Sequence, residues 1–211
     1  MKLYIIPVIL LILFLNCKKV ENLSFNENKN SDIFIENPIS FQEKLSNAAL
    51  SIIDNEVVYT PSYVSIKYPN GDVPLKTGVC TDVIIRSYRK LNIDLQKEVH
   101  QDMKANFKLY PKIWGLKKPD TNIDHRRVPN LEVFFTRKGK KLAVSENAND
   151  YKTGEIVTWM IGKKLPHVGI VTNKKSLDGK RLMLVHNVGE GQVLEDCLFS
   201  YTIVGHYKYG N

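Results

Sequence analysis

Cysteine is scarce in this sequence. The 211 residues contain three cysteines, Cys17, Cys80 and Cys197. An odd number this small does not build a disulfide framework, and it leaves at least one thiol unpaired. Cys197 lies next to acidic residues and has no basic neighbour, so we expect a buried, inert thiol at that position.

Zinc-binding spacings are also missing. The chain has no Cys-x-x-Cys, no His-x-x-x-His and no acidic cluster at ligand intervals. The candidate zinc ligands are Cys80, His125, His167 and His186, which lie far apart in the sequence. This spacing argues against a metal centre, and we expect neither a metal ion nor another cofactor.

The sequence lacks an apolar run long enough for a permanent transmembrane helix. Its N-terminal run, Leu3–Leu15, falls short of the roughly 20 residues that a spanning helix needs. This length is typical of a secretory signal, with a short membrane anchor as the alternative. The segment Leu13–Cys17 resembles a bacterial lipobox, in which the cysteine carries lipid. We therefore expect a signal peptide over residues 1–16, lipid on Cys17, and an exported lipoprotein of the cell envelope, in the periplasm or on the outer face of a bacterial membrane.

The composition is that of a globular domain with excess positive charge. Hydrophobic residues make up 43% and charged residues 25% of the chain, and the formal net charge is +8. Such a balance suits nucleic acid, an anionic membrane face or an anionic polymer. The charge is spread along the chain, no nucleic-acid module is recognisable, and the signal leads out of the cytoplasm. We expect a monomer that meets a cell-envelope polymer and binds no nucleic acid.

The mature chain divides into a tether and one folded domain. Residues 17–38 are rich in Asn, Lys, Glu and Ser, which predicts a flexible tether. The domain is predicted over residues 39–211. Its first half has helical spacing of apolar residues in four segments: 41–55, 81–91, 95–107 and, with a strand as the alternative, 130–138.

The second half of the domain has the residue composition that is typical of β-strands. Short segments rich in Val, Ile, Thr and aromatics are separated by loops that contain Gly or Lys-Asp-Gly. These predicted strands are Glu155–Met160, His167–Thr172, Arg181–Asn187 and Ile203–Tyr209. Helices followed by strands predict an α+β fold, with N-terminal helices packed on a small antiparallel sheet.

One group of residues has the composition of a thiol active site. Cys80 is predicted at a helix N-terminus, where the helix dipole lowers a thiol pKa, although a lone cysteine is often only a small core residue. His167 opens one predicted strand, and His186 and Asn187 lie on the next. A nucleophilic thiol needs a base and a group that orients the base, and these residues supply both in chain order.

Three segments around these histidines resemble a known class of enzyme. Residues 154–159, 167–171 and 185–187 are similar to the Gly-Asp-Leu-Val, His-Val-Gly-Ile-Tyr and Ile-His segments of NlpC-type papain-like cell-wall cysteine peptidases. The resemblance implies a papain-like fold. It also implies that Cys80 is the nucleophile and His167 the base.

A second resemblance is more specific for family. Residues 78–83, 120–131 and 205–209 resemble the secreted bacterial family catalogued as domain of unknown function 1287, and the likeness extends over residues 48–209.

The resemblance to the NlpC-type peptidases implies hydrolysis of an amide bond in peptidoglycan stem peptides through a thioacyl intermediate. His186 would then be the third residue, which orients the base, and Asn187 is the alternative candidate for this role. The backbone N–H of Cys80 can donate to the oxyanion. The sequence around the thiol is Val-Cys-Thr-Asp instead of the usual Asp-Cys-Ser-Gly, and Asp82 either caps the helix or orients substrate.

A basic segment is the candidate for substrate binding. His125, Arg126 and Arg127 are consecutive, and guanidinium groups bind carboxylates of a stem peptide in bidentate fashion. The alternative is a loop in which these residues pair with Asp120 and Asp124. Two further functions remain open at this point: acyl transfer or hydrolysis on another amide or ester, and a noncatalytic envelope-binding lipoprotein on the same scaffold.

Overall fold

The computed structural model describes residues 33–210. These residues form four α-helices: α1 (Phe41–Leu50), α2 (Cys80–Lys90), α3 (Leu95–Asn106) and α4 (Val128–Lys138). None of the helices in this part of the chain has the length and apolarity needed to cross a membrane. The predicted signal peptide, Cys17 and most of the predicted tether lie outside the described residues.

The strands form one large sheet and one small pair. Their bounds are β1 (Val58–Tyr59), β2 (Thr77–Gly78), β3 (Lys140–Lys141), β4 (Ile156–Ile161), β5 (Leu165–Lys175), β6 (Leu182–His186), β7 (Val193–Glu195) and β8 (Thr202–Lys208). The large sheet has the order β3-β8-β4-β5-β6-β7, and its neighbouring strands are antiparallel. Strands β1 and β2 pair in parallel, separately from this sheet.

Apolar side chains cover both faces of the large sheet. On β5, Val168 and Ile170 belong to the cluster that the helices bury, whereas Val171 belongs to a cluster on the opposite face. This follows from the alternation of side chains along a strand. The α+β class predicted from the sequence, with N-terminal helices packed on an antiparallel sheet, is therefore the observed architecture.

The predicted helices and strands are present, with differences at their ends. The first helix stops at Leu50, short of the predicted end, because the chain turns at Ser51 and Asp54 then forms an antiparallel bridge with Gln192. The ambiguous segment near residue 130 is a helix, which has a proline in its first turn and ends at Gly139.

The folded body starts before residue 39. The backbone N–H of Ile35 donates to Asn47 Oδ1 at 2.9 Å, and Asn47 Nδ2 donates to the Ile35 carbonyl at 2.8 Å. Ile33 and Phe34 pack against the main apolar cluster. These contacts place residues 33–35 on the domain, although the sequence assigned them to the tether.

Candidate active site

The Cys80 thiol lies where three parts of the fold meet. Cys80 is the first residue of α2, and its side chain is only 3% exposed. Its sulfur lies near the backbone N–H groups of Val168 on β5 and of Thr81, and near the hydroxyl of Tyr59 on β1, which all favour the thiolate. The thiol is thus held against the backbone of β5 immediately after His167.

The predicted lowering of the thiol pKa is wrong. Burial raises the pKa of Cys80 to about 12, and the carboxylate of Asp82 acts in the same direction. The N–H groups of Val168 and Thr81 favour the thiolate, but desolvation outweighs them. The resting group is a neutral thiol.

His167 begins a hydrogen-bonded chain across three neighbouring strands. Its Nε2 lies 2.9 Å from His186 Nδ1 on β6. His186 Nε2 lies 2.7 Å from Glu195 Oε2 on β7. Both histidines are buried, whereas the Glu195 side chain is 54% exposed. The chain therefore links the vicinity of the thiol to the solvent-facing edge of the sheet.

Glu195 fixes the position of each proton along this series of hydrogen bonds. A carboxylate only accepts hydrogen bonds, so His186 carries its proton on Nε2 and accepts at Nδ1. His167 must then donate from Nε2, which leaves a lone pair on its Nδ1. Burial lowers the pKa of His167 to about 3, and burial also lowers the pKa of His186 against the opposing effect of Glu195. His167 is therefore a neutral imidazole whose Nδ1 carries a lone pair.

A glycine makes room for the histidine pair. A Cβ at Gly169 would lie 3.2 Å from His186 Cβ and 3.2 Å from Trp159 Cη2. Trp159 stacks near His167 with ring centroids 5.7 Å apart, and its Nε1 donates to the Leu198 carbonyl at 2.9 Å. The side chains that position His167 and His186 are thus themselves held by hydrogen bonds and packing.

The two candidates for the third residue have different partners. His186 contacts His167, whereas Asn187 Oδ1 accepts a hydrogen bond from the Gly189 N–H at 3.0 Å. Asn187 is fully buried, and its Nδ2 has no partner among the described residues.

Asp82 and Arg126 are committed to each other. Arg126 Nε and Nη2 donate to the two carboxylate oxygens of Asp82 at 3.0 and 2.9 Å, and each side chain is 2% exposed. Asp82 also accepts the Val79 N–H at 2.7 Å, as a capping residue does. This pairing ties the start of α2 to the Asp124–Arg126 3-10 helix and leaves neither charge free for a substrate.

The other two basic residues of this segment differ in accessibility. His125 is buried, and burial, followed by the charge of Arg126, lowers its pKa to about 3. The Arg127 guanidinium lies 4.0 Å from the ring centroid of Trp114 and 3.3 Å from Asp124. Arg127 is therefore the member of the predicted substrate-binding group that remains partly open to solvent.

Two residues at the site were missed by sequence reasoning. Tyr59 lies in a segment rich in tyrosine and proline without a periodic pattern, and its contact with Cys80 depends on the small β1–β2 pair. Glu195 lies on a three-residue strand, diagonal to His186 across the β6–β7 pair. A strand of three residues is too short for a sequence period to reveal this contact.

A family model and a curated relative agree with the predicted family. The solved structure of NlpC1 from Trichomonas vaginalis is similar with a TM-score of 0.45 and 14% identity, over 83% of this chain and 46% of that chain. "Uncharacterized protein YijF" of Escherichia coli (strain K12) is 48% identical over 165 residues, which are 78% of this chain and 80% of that protein. The family model described as Domain of unknown function (DUF1287) matches residues 46–209, and the chain therefore belongs to this family.

Proposed function

We propose that the protein is an exported cysteine hydrolase that cleaves an amide bond, with peptidoglycan stem peptides as its substrate. One observation carries the proposal. The Cys80 thiol at a helix start lies against the strand that bears His167. The Nε2 of His167 contacts His186, which in turn contacts Glu195. A candidate nucleophile, base and orienting group on neighbouring elements support acyl transfer.

The reaction begins with a neutral pair. As Cys80 Sγ attacks the carbonyl carbon, His167 Nδ1 takes the thiol proton. The negative charge that develops on the carbonyl oxygen is stabilised by the backbone N–H of Cys80 at the start of α2. His167 returns the proton to the leaving amine, and the C–N bond breaks to give a Cys80 thioester.

Water completes the cycle through the same groups. His167 removes a proton from water as the oxygen attacks the thioester carbonyl, and the proton returns to the departing sulfur. The imidazolium formed in each half-reaction is stabilised by Glu195 through His186, since the carboxylate supplies the compensating charge. The products are a free carboxylate and the regenerated thiol.

Charge and location support a cell-wall substrate. The net charge of +8 favours an anionic polymer. Arg127 stacks on Trp114 one residue after Arg126, whose carbonyl accepts a hydrogen bond from Thr81 in α2 at 3.0 Å. A guanidinium at that place suits a substrate carboxylate. The predicted signal peptide and lipid on Cys17 would hold the enzyme at the envelope.

Digestion of purified peptidoglycan tests the proposal. Full-length protein in a neutral detergent is incubated with peptidoglycan beside a Cys80→Ala variant, and the soluble products are resolved by mass spectrometry. We expect new muropeptides from the parent protein alone, and their masses identify the bond cut. Fragments released equally by Cys80→Ala would contradict thiol catalysis.

Labelling with a thiol-reactive amide probe tests the reactivity of Cys80 independently of the natural substrate. If the wall is not digested but the probe labels Cys80 and labelling is lost in His167→Ala, the enzyme acts on another amide or ester, by hydrolysis or acyl transfer. If neither digestion nor selective labelling occurs, the hydrolase is disproved, and a noncatalytic envelope-binding lipoprotein is the function that remains.

A further inference from the structure

A second cluster of reactive groups lies at the outer end of the histidine chain. A ring nitrogen of His186, a carboxylate oxygen of Glu195 and the Sγ of Cys197 all lie within 4.8 Å of one another. The Nε2 of His186 is the nitrogen that contacts Glu195, at 2.7 Å. Cys197 follows β7 by two residues and is a buried free thiol. The cluster therefore combines one nitrogen, one oxygen and one sulfur donor, which are the three donor types that zinc binds in proteins.

The dimensions of the cluster are close to those of a zinc site. Zinc bonds to sulfur at about 2.3 Å and to nitrogen or oxygen at about 2.0–2.2 Å, so tetrahedral ligand atoms lie about 3.3–3.6 Å apart. The longest separation here must contract by about 1.5 Å at most. His186 and Cys197 are buried, whereas the Glu195 side chain is 54% exposed and free to adjust.

Neighbouring groups leave the cluster available. The adjacent carboxylate of Asp196 is engaged by Arg181, with contacts of 2.8 and 2.5 Å. The Glu195 side chain is the part of the cluster that is exposed to solvent, and three protein ligands leave a fourth position for water. The ion would replace the direct contact between His186 and Glu195.

We propose that His186, Glu195 and Cys197 form a Zn²⁺ site, and that zinc bound there switches off the thiol reaction at Cys80. The binding part of this inference stands on the donor cluster alone, whereas the switch rests on the proposed hydrolase. The donor set shares only His186 with the zinc ligands considered from the sequence. Pairing of β6 with β7 assembles it from residues 186, 195 and 197.

The switch follows from the positions of the protons. Zinc takes the lone pair of His186 Nε2, so the proton of that ring moves to Nδ1. His186 Nδ1 then donates to His167 Nε2, which must accept, and the single proton of His167 comes to lie on Nδ1. A protonated Nδ1 cannot take the proton of the Cys80 thiol. Cys197 binds as the thiolate, and the proton it loses goes to solvent.

Zinc binding is measured without any reliance on catalysis. Full-length protein is freed of metal with a chelator and titrated with Zn²⁺ against a chromophoric competitor. We expect one equivalent per chain and at least tenfold weaker binding in Cys197→Ala. Cys80→Ala is the matched control, since it also removes one buried thiol, and it should keep the full affinity. Absence of the equivalent from the parent protein, or its loss in Cys80→Ala alone, would overturn the site.

Cobalt identifies the sulfur ligand directly. Co²⁺ in place of Zn²⁺ should give a thiolate-to-metal absorption band in the parent and in Cys80→Ala, but none in Cys197→Ala. Circular dichroism of the metal-free variants shows whether each is folded. A band that persists in folded Cys197→Ala would exclude Cys197 as a ligand.

The switch is measured by the rate at which the amide probe labels Cys80. One equivalent of Zn²⁺ should slow labelling of the parent at least tenfold, and Cys197→Ala should need at least tenfold more Zn²⁺ for the same fractional loss. Unchanged labelling at full zinc occupancy would disprove the switch. A protein that binds zinc through Cys197 and yet shows no His167-dependent labelling would contradict the proposed hydrolase and leave the site intact.

Discussion

The Cys80 side chain is neutral because it is buried, and this sets how the thiol reacts. Burial raises its pKa to about 12 and lowers that of His167 to about 3. A preformed thiolate–imidazolium pair requires these two values in the reverse order. The proton must therefore leave the sulfur during the attack on a substrate and not before it.

Alkylation of Cys80 should report this raised pKa. The thiolate is the reactive form, and its fraction grows with pH until the pKa is reached. The rate of alkylation by iodoacetamide, followed by peptide mapping, should rise about tenfold per pH unit between about pH 7 and about pH 10 without a plateau, because the pKa lies near 12. A plateau below about pH 6 would indicate a stabilised thiolate and contradict this expectation.

Glu195 should matter to the reaction although it does not touch the thiol. Its carboxylate fixes the proton on His186, and in the proposed reaction it would balance the charge of the imidazolium. Glu195→Gln removes the charge and allows an amide N–H donor to face His186 Nε2, which needs an acceptor. We expect kcat to fall on the order of tenfold with little change in KM, measured on the released muropeptides.

Asp196→Asn is the matched control for this change. Asp196 is the next residue, loses the same charge and pairs on the surface with Arg181. Exposed pairs of this kind contribute about 0–1 kcal/mol to stability, so the variant should fold and keep its kcat. Equal losses in both variants would mean that Glu195 acts only through the general field of the protein.

The reactive residues differ in how far the sequence could identify them. Cys80, His167 and His186 lie in short segments whose residue pattern can be recognised without knowledge of the fold. Glu195 reaches His186 only through the register of β6 on β7, and Tyr59 reaches the thiol only through the β1–β2 pair. The pKa of Cys80 depends on burial by distant parts of the chain, which a helix start alone does not reveal.

The start of α2 depends on a buried ion pair. Asp82→Leu leaves the Arg126 guanidinium buried without its partner, which costs about 3–5 kcal/mol. We expect a loss of that size in the free energy of unfolding by urea. The double variant Asp82→Leu with Arg126→Met removes both charges and should recover part of the loss. A double variant less stable than Asp82→Leu would contradict this account of the pair.

Helices and strands were predictable where their apolar spacing extends over many residues. Helix α2 and strands β4 and β5 are of this kind, because one face of each is buried continuously. Strands β3 and β7 have two and three residues, too few for a period to be recognised. Their existence depends on pairing with β8 and β6.

The whole molecule carries a charge that should govern the proposed binding to the wall. With a net charge of +8, its affinity for an anionic polymer falls as salt screens the attraction. Cosedimentation of the full-length protein with peptidoglycan should decrease several-fold between about 0.05 M and about 0.5 M NaCl. Cys80→Ala should follow the same curve, and binding independent of salt would exclude an electrostatic contribution.

Both edges of the large sheet are short, and this bears on how the molecule behaves at high concentration. One edge is β3, whose two residues are exposed lysines. At the other edge, Gln192, the residue before β7, exchanges two backbone hydrogen bonds of 2.9 Å with Asp54. An approaching strand therefore meets charge repulsion on one side and the paired backbone of Gln192 on the other, and both disfavour extension of the sheet into fibrils.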